Sequence, residues 1–168
     1  MASTMHRDIP SVRAAHMASA WALLFGAMHV VWALAYFYWP TIGRVTLGPD
    51  FEWAFGRPWF MAYDLVVAGL FVVAAALAVA MVRPWGARVP RWVLVPGVWT
   101  AAMLLFLRGA VGVVMDLLVM LGAVHRAPSP LMFYDFWFLL GGILFGAVAW
   151  QQRRRATVAG SSSSSIWP

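Results

Sequence analysis

The run WTAAMLLFLRGAVGVVMDLLVML, residues 99–121, has one arginine, Arg108, and one carboxylate, Asp116, among mostly apolar side chains. About 20 apolar residues in a helix cross the roughly 30 Å hydrocarbon layer of a bilayer, so this run predicts a transmembrane helix. A charged side chain at that depth is costly in free energy. We therefore expect Arg108 and Asp116 to face protein or trapped water, with partners supplied by the other helices.

The composition of the whole chain is that of an integral membrane protein. Of its 168 residues 63% are hydrophobic and 11% are charged, which leaves too little polar surface for a soluble domain. The chain has no cysteine, which excludes disulfides, thiolate nucleophiles and cysteine metal sites. All of its positive charge comes from arginine, and the arginines gather at the ends of apolar runs. This pattern indicates membrane anchoring, and we expect no nucleic-acid partner.

Four apolar runs predict an all-α fold, an integral membrane four-helix bundle. The expected helices cover about residues 14–39, 59–82, 92–124 and 131–150, within a transmembrane domain over residues 14–152. Disordered tails are expected over residues 1–13 and over the basic, then serine-rich residues 153–168. The aromatic loop over residues 40–58 is expected to lie at the membrane interface or to cover a site as a lid.

The distribution of arginine predicts the orientation of the bundle. Eight arginines lie in the two tails and the loop between the second and third helices, and three lie in the other two loops. Because cytoplasmic segments carry the excess of positive charge, both termini are predicted to be cytoplasmic. The expected location is the bacterial inner (plasma) membrane, which the chain would cross several times. The first group is Arg7, Arg13, Arg83, Arg88, Arg91, Arg153, Arg154 and Arg155, and the second is Arg44, Arg57 and Arg126.

The ionisable residues inside the helices are expected to gather in the outer half of the bundle. At 1.5 Å per residue, Asp64 and Asp135 each lie about 8 Å below the outer surface, and Asp116 lies at a similar level. His29 and Arg108 lie deeper, but the arginine stem can reach outward. Because intramembrane ionisable residues are costly, they are candidates for a functional site.

We predict an outward-facing polar pocket that binds a lipophilic small molecule. Carboxylates in apolar surroundings can exchange protons near neutral pH, and aromatic faces stabilise a developing cation. The scattered side chains lack metal-ligand spacing, so neither a metal nor a cofactor is expected. The predicted catalytic residues are Asp64, Asp135, Asp116 and His29, and the predicted ligand-binding residues are Arg108, Trp32, Tyr63, Tyr134 and Gly112.

A structural interpretation of the same residues stays open. Asp64 would pair with Arg108 only to neutralise it, Asp135 would cap backbone groups, and His29 would be a hydrogen-bonded packing residue. A further pattern is the shared spacing of Met61-Ala62-Tyr63-Asp64 and Met132-Phe133-Tyr134-Asp135 in the second and fourth helices. This pattern suggests that the first two helices are repeated as the last two.

Several motifs resemble one family of small bacterial membrane proteins, grouped as domain of unknown function 3995. The similar segments are Leu107-Arg108-Gly109, residues 113–117 around Asp116, residues 134–142 from Tyr134 to Gly142, and residues 29–33. The resemblance extends over about residues 15–155, and it departs where Phe136 stands in place of an expected proline. It implies four helices and the same polar positions, and it implies no activity.

Two functional interpretations from different classes follow. In the first, the protein is a membrane-embedded isomerase or cyclase acting on a lipophilic molecule. Asp64 or Asp135 is then the acid or base, Arg108 orients a carboxylate or oxyanion, and His29 relays a proton. In the second, it is a non-catalytic transporter subunit, lipid-binding module or partner of another membrane protein, and the charges serve packing or proton movement. Its partners are the lipid bilayer and, in the second case, a further copy or another membrane protein.

Overall fold

The protein was analysed as a computed structural model that describes residues 9–38, 57–125 and 132–163. These residues form four long helices, α1 (Ile9–Tyr38), α2 (Pro58–Ala80), α3 (Arg91–Met120) and α4 (Met132–Ser163), and the 3₁₀ segment Pro84–Arg88. No strand occurs within the described ranges, which confirms the predicted all-α class. Each helix contains a segment long and apolar enough to cross a membrane, so the membrane-spanning bundle is confirmed.

Local sequence explains where two of the helices begin or end. Pro58 opens α2, where its missing N–H costs nothing because the first turn has no acceptor for it. Gly122, at φ 73°, ends α3, and the N–H of Ala123 donates to the carbonyl of Leu118. Helix α3 therefore stops before the expected residue 124. Helix α4 continues past the expected end at Trp150 to Ser163, so residues 153–163 are helical where the sequence predicts disorder.

The helices form an up-down-up-down bundle made of two antiparallel hairpins. Helix α1 packs along α2, and α3 packs along α4. The hairpins meet chiefly through α1 and α4, where a Cβ added to Gly141 would lie 2.3 Å from the ring of Trp21. Helices α2 and α3 have the least extensive contact of these four interfaces. We call the end that holds Tyr38, Pro58, Met120 and Met132 the distal end, and the opposite end the basic end.

The two hairpins differ in how closely their helices approach. In the second hairpin, a Cβ added to Gly109 would lie 2.3 Å from the backbone nitrogen of Leu139. In the first hairpin, a Cβ added to Gly26 would lie 3.2 Å from the Cβ of Phe71. Small residues let membrane helices pack backbone to backbone, so α3 and α4 are in closer contact than α1 and α2.

Some buried positions nevertheless match between the two hairpins. Five buried residues of α1 correspond to buried residues of α3 at a separation of 80 residues, and three of α2 correspond to buried residues of α4 at a separation of 71. The other buried residues of α1 have no buried counterpart on α3. This agreement favours the duplicated hairpin that the two Tyr-Asp motifs suggest. The matched pairs are Ala18 with Val98, Ala22 with Ala102, Phe25 with Leu105, His29 with Gly109, Trp32 with Gly112, Asp64 with Asp135, Phe71 with Gly142 and Ala78 with Ala149.

Candidate functional site

A buried imidazole–carboxylate pair joins the two helices of the first hairpin. Nδ1 of His29, on α1, lies 2.9 Å from Oδ1 of Asp64, on α2. Both residues are more than nine-tenths buried, with 7% of His29 and 2% of Asp64 exposed. The sequence offered Arg108 as the residue that would neutralise Asp64, and this expectation is wrong because the imidazole occupies that position instead.

Each member of this pair has a second polar atom that is buried without a partner. Nε2 of His29 and Oδ2 of Asp64 have no hydrogen-bond partner in the part of the chain that the structure describes. A buried polar atom left unpaired costs about 1–3 kcal/mol. The pair is therefore incomplete in the protein alone, with one nitrogen and one oxygen free to bind something else.

Aromatic rings enclose the imidazole and fix its orientation. Phe71 stacks on the His29 ring at a centroid separation of 5.8 Å. Phe25 and Trp32 contact the same ring edge-on, each at 5.0 Å. Trp32 in turn packs edge-on against Tyr134 of α4 at 5.0 Å. The surroundings are apolar, and such surroundings strengthen any hydrogen bond made to the free nitrogen.

A second ion pair joins the helices of the second hairpin. Nη1 of Arg108, on α3, donates to Oδ1 of Asp135, on α4. The guanidinium also lies over the ring of Phe138, with Cζ 5.0 Å from its centroid. The expectation that Arg108 contacts an intramembrane carboxylate is confirmed for Asp135, and the idea that Asp135 only caps backbone groups is wrong. The Arg108 side chain is 51% exposed, whereas that of Asp135 is 9% exposed.

Gly112 makes room for the Asp135 carboxylate. A Cβ added to Gly112 would lie 2.1 Å from Cγ of Asp135. This distance is too short for any real side chain at position 112. The role of Gly112 is therefore to leave space for the ion pair.

The two ion pairs are separate sites with aromatic side chains between them. Phe25, which contacts His29, also packs edge-on against Phe138 at a centroid separation of 5.0 Å. Phe138 in turn lies under the guanidinium of Arg108. The sequence grouped all of these ionisable residues around one pocket. The structure divides them into a pair in each hairpin, joined through two phenyl rings.

Both pairs lie inside the part of the chain that a family model recognises. The model described as protein of unknown function (DUF3995) matches residues 22–145, which hold every candidate site residue. The chain belongs to the DUF3995 family. This confirms the resemblance found in the sequence motifs. No curated protein and no solved structure matches the chain.

The remaining candidates in this DUF3995 chain lie outside the two pairs. Tyr63, next to Asp64, is 55% exposed, and its ring packs near that of Phe60 at 5.9 Å. Asp116 lies one turn beyond Gly112 on α3 and is half-buried. The expected lid over residues 40–58 falls almost wholly outside the described residues. Among those residues, no three histidine or carboxylate side chains form a group that would hold a metal ion.

The sequence interpretation did not identify two of the aromatic residues that contact the ion pairs, Phe71 beside His29 and Phe138 beside Arg108. Phe71 follows Asp64 by seven residues, and Phe138 follows Asp135 by three. Both spacings return to the same face of a helix, so each phenylalanine lies on the face that carries the carboxylate. The helical period carried this signal, but an aromatic residue on a buried face is so common that it does not stand out.

Proposed function

We propose that the protein binds a lipophilic small molecule at His29 and Asp64 and exchanges a proton with it inside the membrane. The observation that carries this proposal is the pair of unpartnered buried atoms, Nε2 of His29 and Oδ2 of Asp64. A ligand hydroxyl or carbonyl group would remove the cost of leaving these atoms unpaired. The aromatic walls around His29 suit an apolar ligand body.

The chemistry of the two pairs favours the first hairpin as the reactive one. Histidine gains and loses a proton near neutral pH, whereas arginine stays protonated in proteins. The Arg108–Asp135 pair is therefore a fixed charge pair, and the His29–Asp64 pair can transfer a proton. In this proposal the ligand lies at His29 and Asp64, with the rings of Trp32 and Tyr134 beside it. Arg108 and Asp135 form the separate pair beyond Phe25 and Phe138 and take no part in binding this ligand.

The proposed proton transfer begins with Asp64 ionised and His29 neutral. The Nδ1–H of His29 then donates to Oδ1 of Asp64, which leaves a lone pair on Nε2 to act as the base. A proton leaves a hydroxyl or an activated carbon of the ligand and binds Nε2, and the carboxylate stabilises the imidazolium. Return of that proton to a different ligand atom isomerises the ligand with no net change in protons. A cyclisation would use the same acid and base.

This function predicts that a lipophilic alcohol contacts His29 directly. Protein labelled with ¹⁵N-histidine in lipid nanodiscs would be titrated with farnesol and, separately, with farnesene, which has the hydrocarbon skeleton without the hydroxyl. We expect farnesol to move the His29 Nε2 resonance because its hydroxyl donates to the free nitrogen, and farnesene to leave it in place. The variant H29Q assigns the resonance.

His16 provides the control within the same sample. It is exposed near the basic end, and its Nε2 lies 3.5 Å from Nη2 of Arg83. Its resonance should not respond to either molecule. Equal responses of His29 to farnesol and farnesene would show that the hydroxyl makes no contact with it and would remove the proposal. Binding of farnesol without exchange of its carbon-bound protons into deuterated solvent would favour the non-catalytic alternative.

The proposed orientation places both termini in the cytoplasm, so the site opens toward the outer leaflet. Reporter fusions after residue 85, in the 3₁₀ segment, and after residue 168 should both give cytoplasmic signals, and a fusion after residue 125 should give an external one. An external signal at residue 85 or 168 would show that the bundle has the opposite orientation in the membrane. The site would then be reached from the inner leaflet.

A further inference from the structure

Arg108 has hydrogen-bonding capacity that the protein does not use. A guanidinium has five N–H donors. In the described part of the chain, Arg108 donates to Asp135 and lies over the Phe138 ring, and its side chain is half exposed. Asp135 is almost completely buried beside it, and we infer from the half exposure of Arg108 that the remaining N–H groups are accessible at the surface of the bundle.

The guanidinium lies near the distal end of the bundle. Asp135 is in the first turn of α4, and its carboxylate lies beside Gly112. Because Gly112 is one turn beyond Arg108, the arginine stem rises about 6 Å along α3 to reach the carboxylate. The charge is therefore close to the level at which a helix of this length meets lipid headgroups.

The outward face of α3 around Arg108 is suited to acyl chains. Its exposed side chains are apolar, and they are Leu104, Leu107, Val111 and Met115. Contacts between membrane helices favour small residues, but Gly109 and Gly112 of α3 are buried against α4. This face therefore does not have the composition of a helix–helix interface.

The described part of a second copy offers no exposed carboxylate for the unused donors. Asp64 and Asp135 are both more than nine-tenths buried, and Asp116 is half-buried on the same helix as Arg108. Within the described residues, no carboxylate is exposed on the membrane-facing surface. Phospholipid headgroups carry phosphate acceptors at the surface of the membrane.

We propose that Arg108 binds the phosphate of a phospholipid at the distal end, with the acyl chains along the outward face of α3. A guanidinium binds phosphate oxygens through two parallel N–H groups, and it can do so while one further N–H remains on Asp135. This site is separate from the His29–Asp64 site, and it neither requires nor tests the reaction proposed there.

The test is lipid selectivity by native mass spectrometry of the full chain in dodecyl maltoside, a detergent without phosphate. The probes are dioleoylphosphatidylglycerol and monogalactosyl diacylglycerol, which has no phosphate. We expect the wild-type protein to bind the first about tenfold more tightly, and the double variant R108Q/D135N to lose this preference. The double variant removes one charge of each sign, so the net charge of the protein is unchanged. If the double variant does not fold, R108K replaces it in the test. Lysine keeps the positive charge but lacks the two parallel N–H groups of a guanidinium, so the lipid preference of R108K should also fall.

Three results would overturn the proposal. One is an unchanged lipid preference in both variants. Another is displacement of the phospholipid by millimolar inorganic phosphate, which would indicate a site for aqueous anions. The third is efficient disulfide formation between copies of L107C in membranes, which would indicate that a second copy covers this face. L107C would be the only thiol, because the natural chain has no cysteine.

Discussion

Replacing Gly109 with alanine is expected to destabilise the bundle by about 1–3 kcal/mol, and replacement with valine by more. The added Cβ would lie 2.3 Å from the backbone nitrogen of Leu139 and 2.9 Å from the carbonyl oxygen of Asp135. Neither atom belongs to a flexible side chain, so the two helices must separate. Unfolding in mixed detergent micelles, followed by circular dichroism, would measure the loss.

Gly69 and Gly146 provide matched controls for this substitution. Both lie inside a helix, and a Cβ added to either would meet nothing within 4 Å. The intrinsic helix preference for alanine over glycine is the same at all three positions, so it cancels in the comparison. We expect G69A and G146A to be neutral or slightly stabilising. A loss in G146A as large as that in G109A would contradict close packing as the cause.

Replacing Arg108 with leucine is expected to cost about 3–5 kcal/mol, because it leaves the buried Asp135 carboxylate unpaired. D135L should cost less, since the half-exposed Arg108 can turn its guanidinium outward to the headgroups. The double variant R108L/D135L should recover much of the loss seen in R108L. The same unfolding measurement on all four proteins gives the coupling energy of the pair.

Asp64 distinguishes this pairing from the alternative suggested by the sequence. Asp64 contacts His29 and not Arg108, so the effects of R108L and D64N should add in the double variant. Recovery of stability in R108L/D64N, together with simple addition in R108L/D135L, would show that Arg108 pairs with Asp64 and not with Asp135.

The fold follows from composition and apolar run length, because a bilayer fixes how long a helix must be and how apolar it is. Helix ends are less predictable. Gly122 is a typical helix-terminating residue, and it ends α3 before the predicted residue. The arginines at 153–155, in contrast, led to the prediction of a disordered tail. Arginine is a good helix former, and α4 continues through these residues once its apolar part is anchored in the bundle.

The sequence predicts the kinds of site residues better than their partners. It shows that Arg108 needs a carboxylate, but three carboxylates lie at a similar level. The choice of Asp135 depends on which helix the glycines of α3 face. A glycine in a sequence does not indicate which helix will pack against it. The pairing of His29 with Asp64 has the same origin, because α1 and α2 pack side by side and bring the two residues to one level. The suggested repeat of α1 in α3 has support only from burial, since His29 and Trp32 correspond to glycines.

The unequal interfaces of the bundle determine which way it can open. Trp21 against Gly141, Phe25 against Phe138 and Trp32 against Tyr134 hold α1 and α4 together along their length. Helices α2 and α3 touch least, and a close contact between them, Leu77 against Gly97, lies toward the basic end. Separating α2 from α3 would therefore disrupt less contact than separating any other neighbouring helices of the bundle. It would also leave both ion pairs intact, because each pair lies within one hairpin.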